Sequence, residues 1–250
     1  MDLAQRVIEN WTEEAVSYSE NVREELESDT PAKWIRVINS YIPMDRTLDF
    51  LDIGTGPGFF PVILSREGHR VTGIDCTRAM LDQAIENAGR YNISADFILA
   101  EGDDLPFDDS TFDCVISRNV AWTLTDPVRS YKEWLRVLRP GGRLMIFDAN
   151  WNHRYYDDEL MKKHLEDLEN YASIFEKNSG VAHDLSERGE TFRRDMPMSR
   201  VSRPRWDLNF FSVQDVSRII CDLRVYETVW NEKRKTAYAS TPMFLIVIEK

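Results

Sequence analysis

The stretch that decides the fold is FLDIGTGPGFF, residues 50–60, in which Gly54, Gly56 and Gly58 follow a short apolar run. The pattern predicts a strand over residues 48–53 that passes through a tight turn into a helix. Glycines at such a turn let the backbone come close to a ligand and adopt positive φ angles. A tight turn also uses glycine for packing alone, so a purely structural role stays open for this loop.

Beyond the glycine loop, short apolar runs alternate with helical patterns as far as residue 150, which is typical of a parallel sheet with crossover helices. The further strands predicted in this region are residues 70–74, 96–100, 112–117 and 143–149. Asp126 followed by Pro127 predicts a capped helix start before the last of these strands. Gly141 and Gly142 are predicted to end that helix.

The regions before and after this alternation have patterns of their own. The predicted division of the chain is an amino-terminal helical cap (1–45), a ligand-binding core (46–150), a helical lid insertion (151–209) and the end of the core sheet (210–250). Within the last part, residues 213–221 are predicted to be helical, and residues 224–229 and 243–248 are predicted to be strands.

The composition disfavours several classes of partner and site. The chain has 43 acidic and 31 basic side chains and a formal net charge of −12, which repels the phosphate backbone of nucleic acid. Its three cysteines lie far apart without the spacing of a metal site, which suits a reducing compartment. No stretch reaches the roughly 20 apolar residues that a membrane helix needs. These observations predict a cytoplasmic protein that binds neither nucleic acid nor a membrane.

Two carboxylates flank the glycine loop in the predicted sheet. Asp75 follows the second strand, where a carboxylate can accept hydrogen bonds from both hydroxyls of a ribose. Asp52 precedes the loop, where it is a poor neighbour for a pyrophosphate but suits an ammonium group or braces the loop through its backbone donors. The spacing is GxGxG rather than the GxGxxG of dinucleotide sites. A cationic ligand without phosphate is therefore favoured, and a nucleotide-dependent oxidoreductase or a non-catalytic binding module stays the alternative.

Four motifs, FLDIGTGPGFF, VTGIDCTRAM, EGDDLPFDDSTFDCVISRN and VLRPGG, resemble in sequence and order those of class I S-adenosylmethionine-dependent methyltransferases. The resemblance covers about residues 46–150 and is greatest toward the small-molecule branch that includes quinone-biosynthesis methyltransferases. It implies a Rossmann-like, doubly wound, mostly parallel seven-stranded sheet with the last strand antiparallel. It also implies S-adenosylmethionine as the cofactor and in-line methyl transfer to a small-molecule acceptor.

The cofactor site expected from the residue types and the resemblance lies at the strand ends. Its members are Asp52, Gly54, Gly56, Gly58, Asp75, Cys76, Glu101, Gly102, Asp103, Arg118 and Asn119. The resemblance implies that the three glycines wrap the methionine half, that Asp75 holds the ribose and that Cys76 borders the adenine. It places Glu101 where the family commonly has an aspartate that receives the adenine amino group, with Asp103 as a rival. Backbone carbonyls of the loop after strand four would meet the ammonium group.

The acceptor side is predicted from aromatic and basic residues. Aromatic rings stabilise a sulfonium by cation–π contact, although such rings are commonly packing residues. The candidate walls are Trp11, Tyr18, Trp122, Trp151, Tyr155 and Tyr156. Arg193 and Arg203 lie in an arginine-rich stretch that could clamp a carboxylate or a phosphate on the acceptor. The alternative is that these arginines neutralise acidic helices at the surface.

An acceptor that loses a proton would need a general base. His153, close behind the fifth strand, is the candidate because histidine exchanges protons near neutral pH, although a lone histidine is commonly a polar surface residue. Asp148, at the end of the same strand, is the second candidate, and orientation of the following loop is its other interpretation.

Overall fold

The computed structural model describes residues 2–43, 45–175 and 187–250, and the strands in these ranges join one sheet. The strands are β1 (Asp49–Ile53), β2 (Arg70–Asp75), β3 (Asp96–Leu99), β4 (Phe112–Arg118), β5 (Leu138–Asp148), β6 (Arg218–Asp222) and β7 (Phe244–Glu249). Their order across the sheet is β3-β2-β1-β4-β5-β7-β6. Neighbours from β3 to β5 are parallel, whereas β7 is antiparallel to β5 and β6. The predicted Rossmann-like sheet with an antiparallel last strand is confirmed.

Helices cover the sheet and extend before and after its central strands. Within the described ranges they are α1 (Leu3–Leu26), α2 (Thr30–Asn39), α3 (Phe59–Arg66), α4 (Arg78–Arg90), α5 (Pro127–Val137), α6 (Asp158–Ile174), α7 (Glu187–Asp195), α8 (Arg205–Phe211), α9 (Val225–Val229) and α10 (Glu232–Ala237). None of these helices combines the length and the apolar character that crossing a bilayer requires. Part of the predicted lid insertion, residues 176–186, lies outside the described residues.

Aromatic side chains pack against both faces of the sheet. On one face, Trp34 of α2 meets Phe59 of α3 and Phe147 of β5 edge-on, with ring centroids 6.0 and 4.8 Å apart. On the other face, Tyr131 of α5 stacks on Phe211 of α8 at 5.0 Å. These five side chains are buried, and burial of a large apolar side chain stabilises a fold by about 1.5–3 kcal/mol. The two packed faces hold the strand ends in fixed positions.

The strand order reverses between β1 and β4, so the loops that leave these two strands diverge at the carboxyl edge of the sheet. In open α/β sheets this divergence leaves a crevice in which ligands bind. The glycine loop leaves β1 and begins α3 on one side of the crevice. Helix α1 packs against α4 close to the same edge. The topology therefore positions a site between these elements.

Two elements near the carboxyl terminus differ from the prediction. The helix predicted over residues 213–221 is wrong, because Arg218–Asp222 forms β6 and pairs with β7. The strand predicted over residues 224–229 is wrong as well, because Val225–Val229 forms α9. The valines at the two ends of α9 are both buried and lie one helical turn apart. Apolar runs this short fit both the period of a helix and the period of a strand, so the sequence pattern alone did not distinguish the two.

Helix α5 begins where predicted but ends earlier. Asp126 caps it by accepting a hydrogen bond from the backbone N–H of Arg129 at 2.9 Å. The helix ends at Val137, before the predicted glycine stop, because Leu138 already pairs with Phe112 of β4. The glycines that follow lie within the irregular start of β5.

Candidate functional site

A pocket opens at the carboxyl edge of β1, β2 and β4, under the amino-terminal half of α1. Its lining comes from the ends of these strands, from residues 100–103, 118–120 and 123–125, from α1, and from single residues of α4 and α5. Among the residues predicted to bind the cofactor or acceptor, those that line it are Tyr18, Gly54, Gly56, Asp75, Cys76, Glu101, Gly102, Asp103, Arg118 and Asn119. The fold thus brings most of the predicted cofactor residues together, and their individual roles stay predictions.

The glycine loop is held close to the segment that follows β4. Gly54 has a φ of +63°, and a Cβ at this position would lie 2.9 Å from Cγ1 of Val120 and closer still to its Cγ2. Gly56 has a φ of +51° and faces Tyr18 of α1. Gly58, at the start of α3, lies off the pocket, and its missing side chain lets α3 approach Ala84 of α4. The first two glycines therefore shape the pocket wall, and the third serves helix packing.

Asp75 presents its carboxylate to the pocket from the end of β2. Its Oδ2 accepts a hydrogen bond from the Gly56 N–H at 3.0 Å, and its Oδ1 accepts one from the Thr77 N–H at 2.9 Å. Burial raises the pKa of this carboxyl group, and the two backbone donors oppose the rise. Each carboxylate oxygen can accept a second hydrogen bond. Asp75 is therefore fixed in orientation and still able to bind two hydroxyl groups.

Asp52 braces the glycine loop from below the pocket. Its side chain is 2% exposed, and it accepts a hydrogen bond from the Thr55 hydroxyl at 2.7 Å. The brace is thus a side-chain hydroxyl rather than the backbone donors that the sequence suggested. Burial raises the pKa of Asp52 to about 7, although the nearby Arg118 lowers it. Asp52 therefore acts on the loop and is not part of the pocket lining.

Arg118 and Asn119 end β4 at the crevice. The Arg118 guanidinium donates to Glu25 of α1 at 2.7 Å and lies over the Phe59 ring at 4.2 Å. Glu25 also pairs with Arg234 of α10; burial opposes its ionisation, but the two arginines hold its pKa below the usual range. Asn119 adopts a φ of +60°, and its buried Oδ1 accepts no hydrogen bond from the described residues. An acceptor left without a donor at a pocket wall fits a ligand that carries N–H groups.

The residues after β3 form the opposite end of the pocket. Gly102 fixes this turn, since its carbonyl accepts a hydrogen bond from Trp134 Nε1 at 2.8 Å. Glu101 is exposed at the rim, and Asp103 is half-buried beside it, so the geometry keeps both as candidates. Burial raises the pKa of the Cys76 thiol to about 11, with Asp75 adding to the rise. Cys76 is therefore a neutral wall of the pocket rather than a nucleophile.

The predicted aromatic walls separate in the fold. Tyr18 lines the pocket, and its ring centroid lies 5.7 Å from that of Trp11 on the same helix. Trp122 packs behind this pair, 6.2 Å from Trp11 and 6.1 Å from Phe192 of α7. Trp151 is on another side, where its Nε1 donates to Asp148 at 2.7 Å. Of the predicted walls, Trp11 and Tyr18 are part of the pocket lining.

The prediction that Arg193 and Arg203 clamp an anionic group of the acceptor is wrong for Arg203, because this residue is buried. Arg203 is 2% exposed, and its guanidinium donates to Asp148 at 2.7 Å, to Asp207 at 2.7 Å and to the Tyr131 hydroxyl at 3.2 Å. A guanidinium bound by two buried carboxylates has a structural role and is closed to an acceptor. Arg193 lies in the last turn of α7. The sequence could not separate the two, because burial depends on partners that are distant along the chain.

The two candidate bases lie outside the pocket lining. His153 is half-buried, and its Nδ1 is 3.1 Å from the Ser199 carbonyl oxygen. Asp148 is 0% exposed, and its oxygens accept from Arg203, from Trp151 and from the backbone N–H groups of residues 122 and 149. This second candidate is therefore a structural carboxylate, and the role of His153 stays a prediction.

Sequence reasoning named Trp11 and Tyr18 of α1 as candidate walls but missed the apolar residues of the first helical turns. Ala4, Val7 and Ile8 line the pocket beside Trp11. Their helical spacing continues the apolar face of α1 and was the available signal. Sequence reasoning also missed four lining residues in the loop after β4, which are Val120, Thr123, Leu124 and Thr125.

Comparisons with known proteins agree with this geometry. The profile of a methyltransferase domain family matches residues 51–146. An uncharacterized methyltransferase of Mycobacterium sp. (strain KMS) is 38% identical over 111 residues, which are 44% of this chain and 41% of that protein. A demethylmenaquinone methyltransferase of Clavibacter sepedonicus is 35% identical over 100 residues, 38% of this chain and 39% of that protein. The chain thus spans about two fifths of the length of these curated relatives.

Solved structures extend the likeness of fold to nearly the whole chain. The crystal structure of an S-adenosylmethionine-dependent methyltransferase from Aquifex aeolicus superposes with a TM-score of 0.55 and 16% identity, over 92% of this chain and 97% of that chain. At this identity, the likeness is one of fold.

Proposed function

We propose that this chain, in which residues 51–146 match a methyltransferase domain family, is a class I methyltransferase that transfers a methyl group from S-adenosylmethionine to a small-molecule acceptor. The observation that carries the proposal is the pocket at the reversal of strand order, lined by the glycine loop and by Asp75. Its position and its polar groups fit a nucleoside joined to an amino acid.

The residues at the pocket wall suit the parts of that compound. Asp75, held by two backbone donors, has free acceptor capacity for the ribose hydroxyls. The unpartnered Oδ1 of Asn119 suits the ammonium group of the methionine half. Glu101 or Asp103 would accept the adenine amino group at the other end, beside the neutral thiol of Cys76. These assignments give each end of the pocket one half of the cofactor.

S-adenosylmethionine supplies a methyl group already activated on a positive sulfur: the acceptor atom bonds to the methyl carbon, the C–S bond breaks with its electron pair left on sulfur, and the acceptor gives up any proton it carries to solvent or a base. The contribution of the chain is alignment and exclusion of water. The apolar face of α1 covers the pocket with Val7 and Trp11, and Tyr18 adds an aromatic ring beside Gly56. An aromatic ring stabilises a nearby cation by about 0.5–2 kcal/mol.

The acceptor that we propose is a small molecule rather than a nucleic acid, because the net charge of −12 repels phosphate backbones. The similarity to a demethylmenaquinone methyltransferase supports the small-molecule branch of the family. A cytoplasmic location is proposed on the three free cysteines, which suit a reducing compartment. The helices on either side of residues 176–186 are proposed to border the acceptor.

Titration calorimetry with S-adenosylhomocysteine, the demethylated product, tests the proposal. The wild-type protein should bind it, and Asp75→Ala should weaken binding about 10–100-fold, since the lost hydrogen bonds to a charged group are worth about 1.5–3 kcal/mol. Asp104→Ala is the matched control, because this aspartate lies close by with its side chain 83% exposed and outside the lining. Absence of binding by the wild-type protein would overturn the proposed function. Equal affinity in Asp75→Ala would remove the ribose assignment.

A further inference from the structure

Arg154, in the short 3-10 turn after β5, is a half-buried cation without an ion pair. Its guanidinium donates to the Trp151 carbonyl and lies 3.5 Å from the Tyr155 hydroxyl. Among the side chains that the structure describes, those of residues 2–43, 45–175 and 191–250, no carboxylate lies within ion-pair distance of it. Two arginines that are buried more deeply are paired: Arg118 with Glu25, and Arg203 with two aspartates. Burying an unpaired charge is costly, so this position suits an anionic ligand.

Further cations gather around the same point and strengthen the demand for an anion. The guanidinium carbons of Arg154 and Arg194 lie 4.9 and 5.3 Å from the centre of the Tyr155 ring. Burial lowers the pKa of Arg154, and the like charge of Arg193 lowers it further. Burial, together with the charge of Arg154, lowers the pKa of His164 to about 4, so this histidine is neutral near pH 7. Three guanidinium groups, those of Arg154, Arg193 and Arg194, thus lie near one another in a chain of net charge −12, and such a group of cations suits an anionic ligand.

Tyr238 connects this group of side chains to Tyr18. Its ring meets that of Trp151, whose carbonyl accepts from Arg154, edge-on at 5.2 Å. Burial raises the pKa of Tyr238, the charges of Arg154 and Arg193 lower it, and Tyr18 is close enough to raise it. Tyr18 lines the pocket, with its Cε1 3.7 Å from where a Cβ of Gly56 would lie. A molecule bound at Arg154 would therefore extend past Tyr238 and Tyr18 toward the methionine end of the pocket.

We propose that the methyl acceptor carries an anionic oxygen group, a carboxylate or a phosphate, and that Arg154 binds this group together with Arg193 and the Tyr238 hydroxyl. The proposal rests on the proposed function, since it takes the neighbouring pocket as the cofactor site. It assigns to Arg154 the acceptor contact that sequence reasoning gave to Arg203. The planar guanidinium suits either anion, because its paired donors match two oxygens of a carboxylate or a phosphate. The tyrosines supply a hydroxyl donor and flat walls beside it.

Anion titration of the complex with S-adenosylhomocysteine tests the proposal. The probes are inorganic phosphate and benzoate, each titrated by calorimetry at constant ionic strength. The wild-type protein should bind at least one of them, and the preferred probe identifies the anionic group as phosphate or carboxylate. Arg154→Met should weaken that binding at least about 10-fold, because the variant keeps most of the side-chain length and loses the charge. Binding of neither probe by the wild-type protein would overturn the proposal.

A matched control separates this result from general effects of charge. Arg66, in the last turn of α3, also lies over a tyrosine, with its guanidinium carbon 4.9 Å from the centre of the Tyr91 ring. Arg66→Met should therefore leave anion binding unchanged. Equal anion affinity in Arg154→Met and wild type would refute the assignment. If Arg154→Met does not fold, Arg154→Lys should show the same weakening in smaller degree. Affinity for S-adenosylhomocysteine, measured separately, should be the same in all variants. If the wild-type protein does not bind this compound, the result counts against the proposed function rather than against the anion site.

Discussion

Replacing Asp52 with asparagine should change how the stability of the fold depends on pH. The Asp52 carboxyl group is 2% exposed beneath the glycine loop, and burial raises its pKa from 3.8 to about 7. Asparagine has nearly the same shape, and its oxygen can still accept the hydrogen bond from the Thr55 hydroxyl. It cannot ionise, so the substitution removes the titration and keeps the brace.

The direction of this pH dependence is determined by whether the folded or the unfolded state binds the Asp52 proton more tightly. Between about pH 4 and 7 the folded protein keeps the proton on Asp52 while the unfolded chain releases it. The contribution of Asp52 to the free energy of unfolding is therefore fully present below about pH 4 and is lost as the pH rises through about 7. A rise of about three pKa units corresponds to about 4 kcal/mol, of which about 2–3 kcal/mol falls between pH 5 and 8.

Urea unfolding of the two proteins at pH 5 and pH 8 measures the effect. The wild-type protein should lose about 2–3 kcal/mol more than Asp52→Asn over this range. Asp104→Asn, with its side chain 83% exposed, is the control and should follow the wild-type profile. Parallel profiles for wild type and Asp52→Asn would refute the argument that burial holds a proton on this carboxyl group.

Two further substitutions test the packing around the pocket. Gly54→Ala should cost about 1–3 kcal/mol more than Gly68→Ala, because both glycines have positive φ but only the first would place its Cβ against a valine methyl group; equal losses in urea unfolding would show that the close approach is unimportant. Asp148→Asn should destabilise the fold by about 3 kcal/mol, since it leaves the buried Arg203 with one carboxylate instead of two; a melting temperature equal to that of the wild type would argue against this network.

The parallel part of the sheet could be predicted because its signals are local. The glycine loop, the Asp126 cap and the apolar runs each determine a short segment, and their order along the chain implies crossover helices. The segment from β6 to α9 could not be predicted in the same way. Its apolar runs are about one helical turn long, and only the pairing of β6 with β7 decides which run is a strand.

In the candidate site, too, residues placed by local sequence patterns could be predicted, and residues placed by long-range packing could not. Residues such as Gly54 and Asp75 could be placed together from the sequence, because the carboxyl ends of neighbouring parallel strands share one edge. The lining from α1 and the unpaired state of Arg154 depend on how distant helices pack, which no local pattern specifies. Arg203 is an example of what the sequence could not predict. An arginine-rich stretch predicts solvated charges, whereas the guanidinium of Arg203 is paired with two buried aspartates.

Asp148 connects the two halves of the proposed reaction site. Its Oδ2 accepts from the backbone N–H of Trp122, beside the cofactor pocket, at 3.1 Å and from Arg203 at 2.7 Å. Its Oδ1 accepts from Trp151 Nε1 at 2.7 Å, and the carbonyl of Trp151 in turn accepts from Arg154. One buried carboxylate thus holds the segment after β4 and the segment after β5 in a fixed relation. In the reaction that we propose, the main contribution of the chain is alignment. Asp148 would then set the distance between the proposed cofactor pocket and the proposed acceptor contact, although it lies outside the pocket lining.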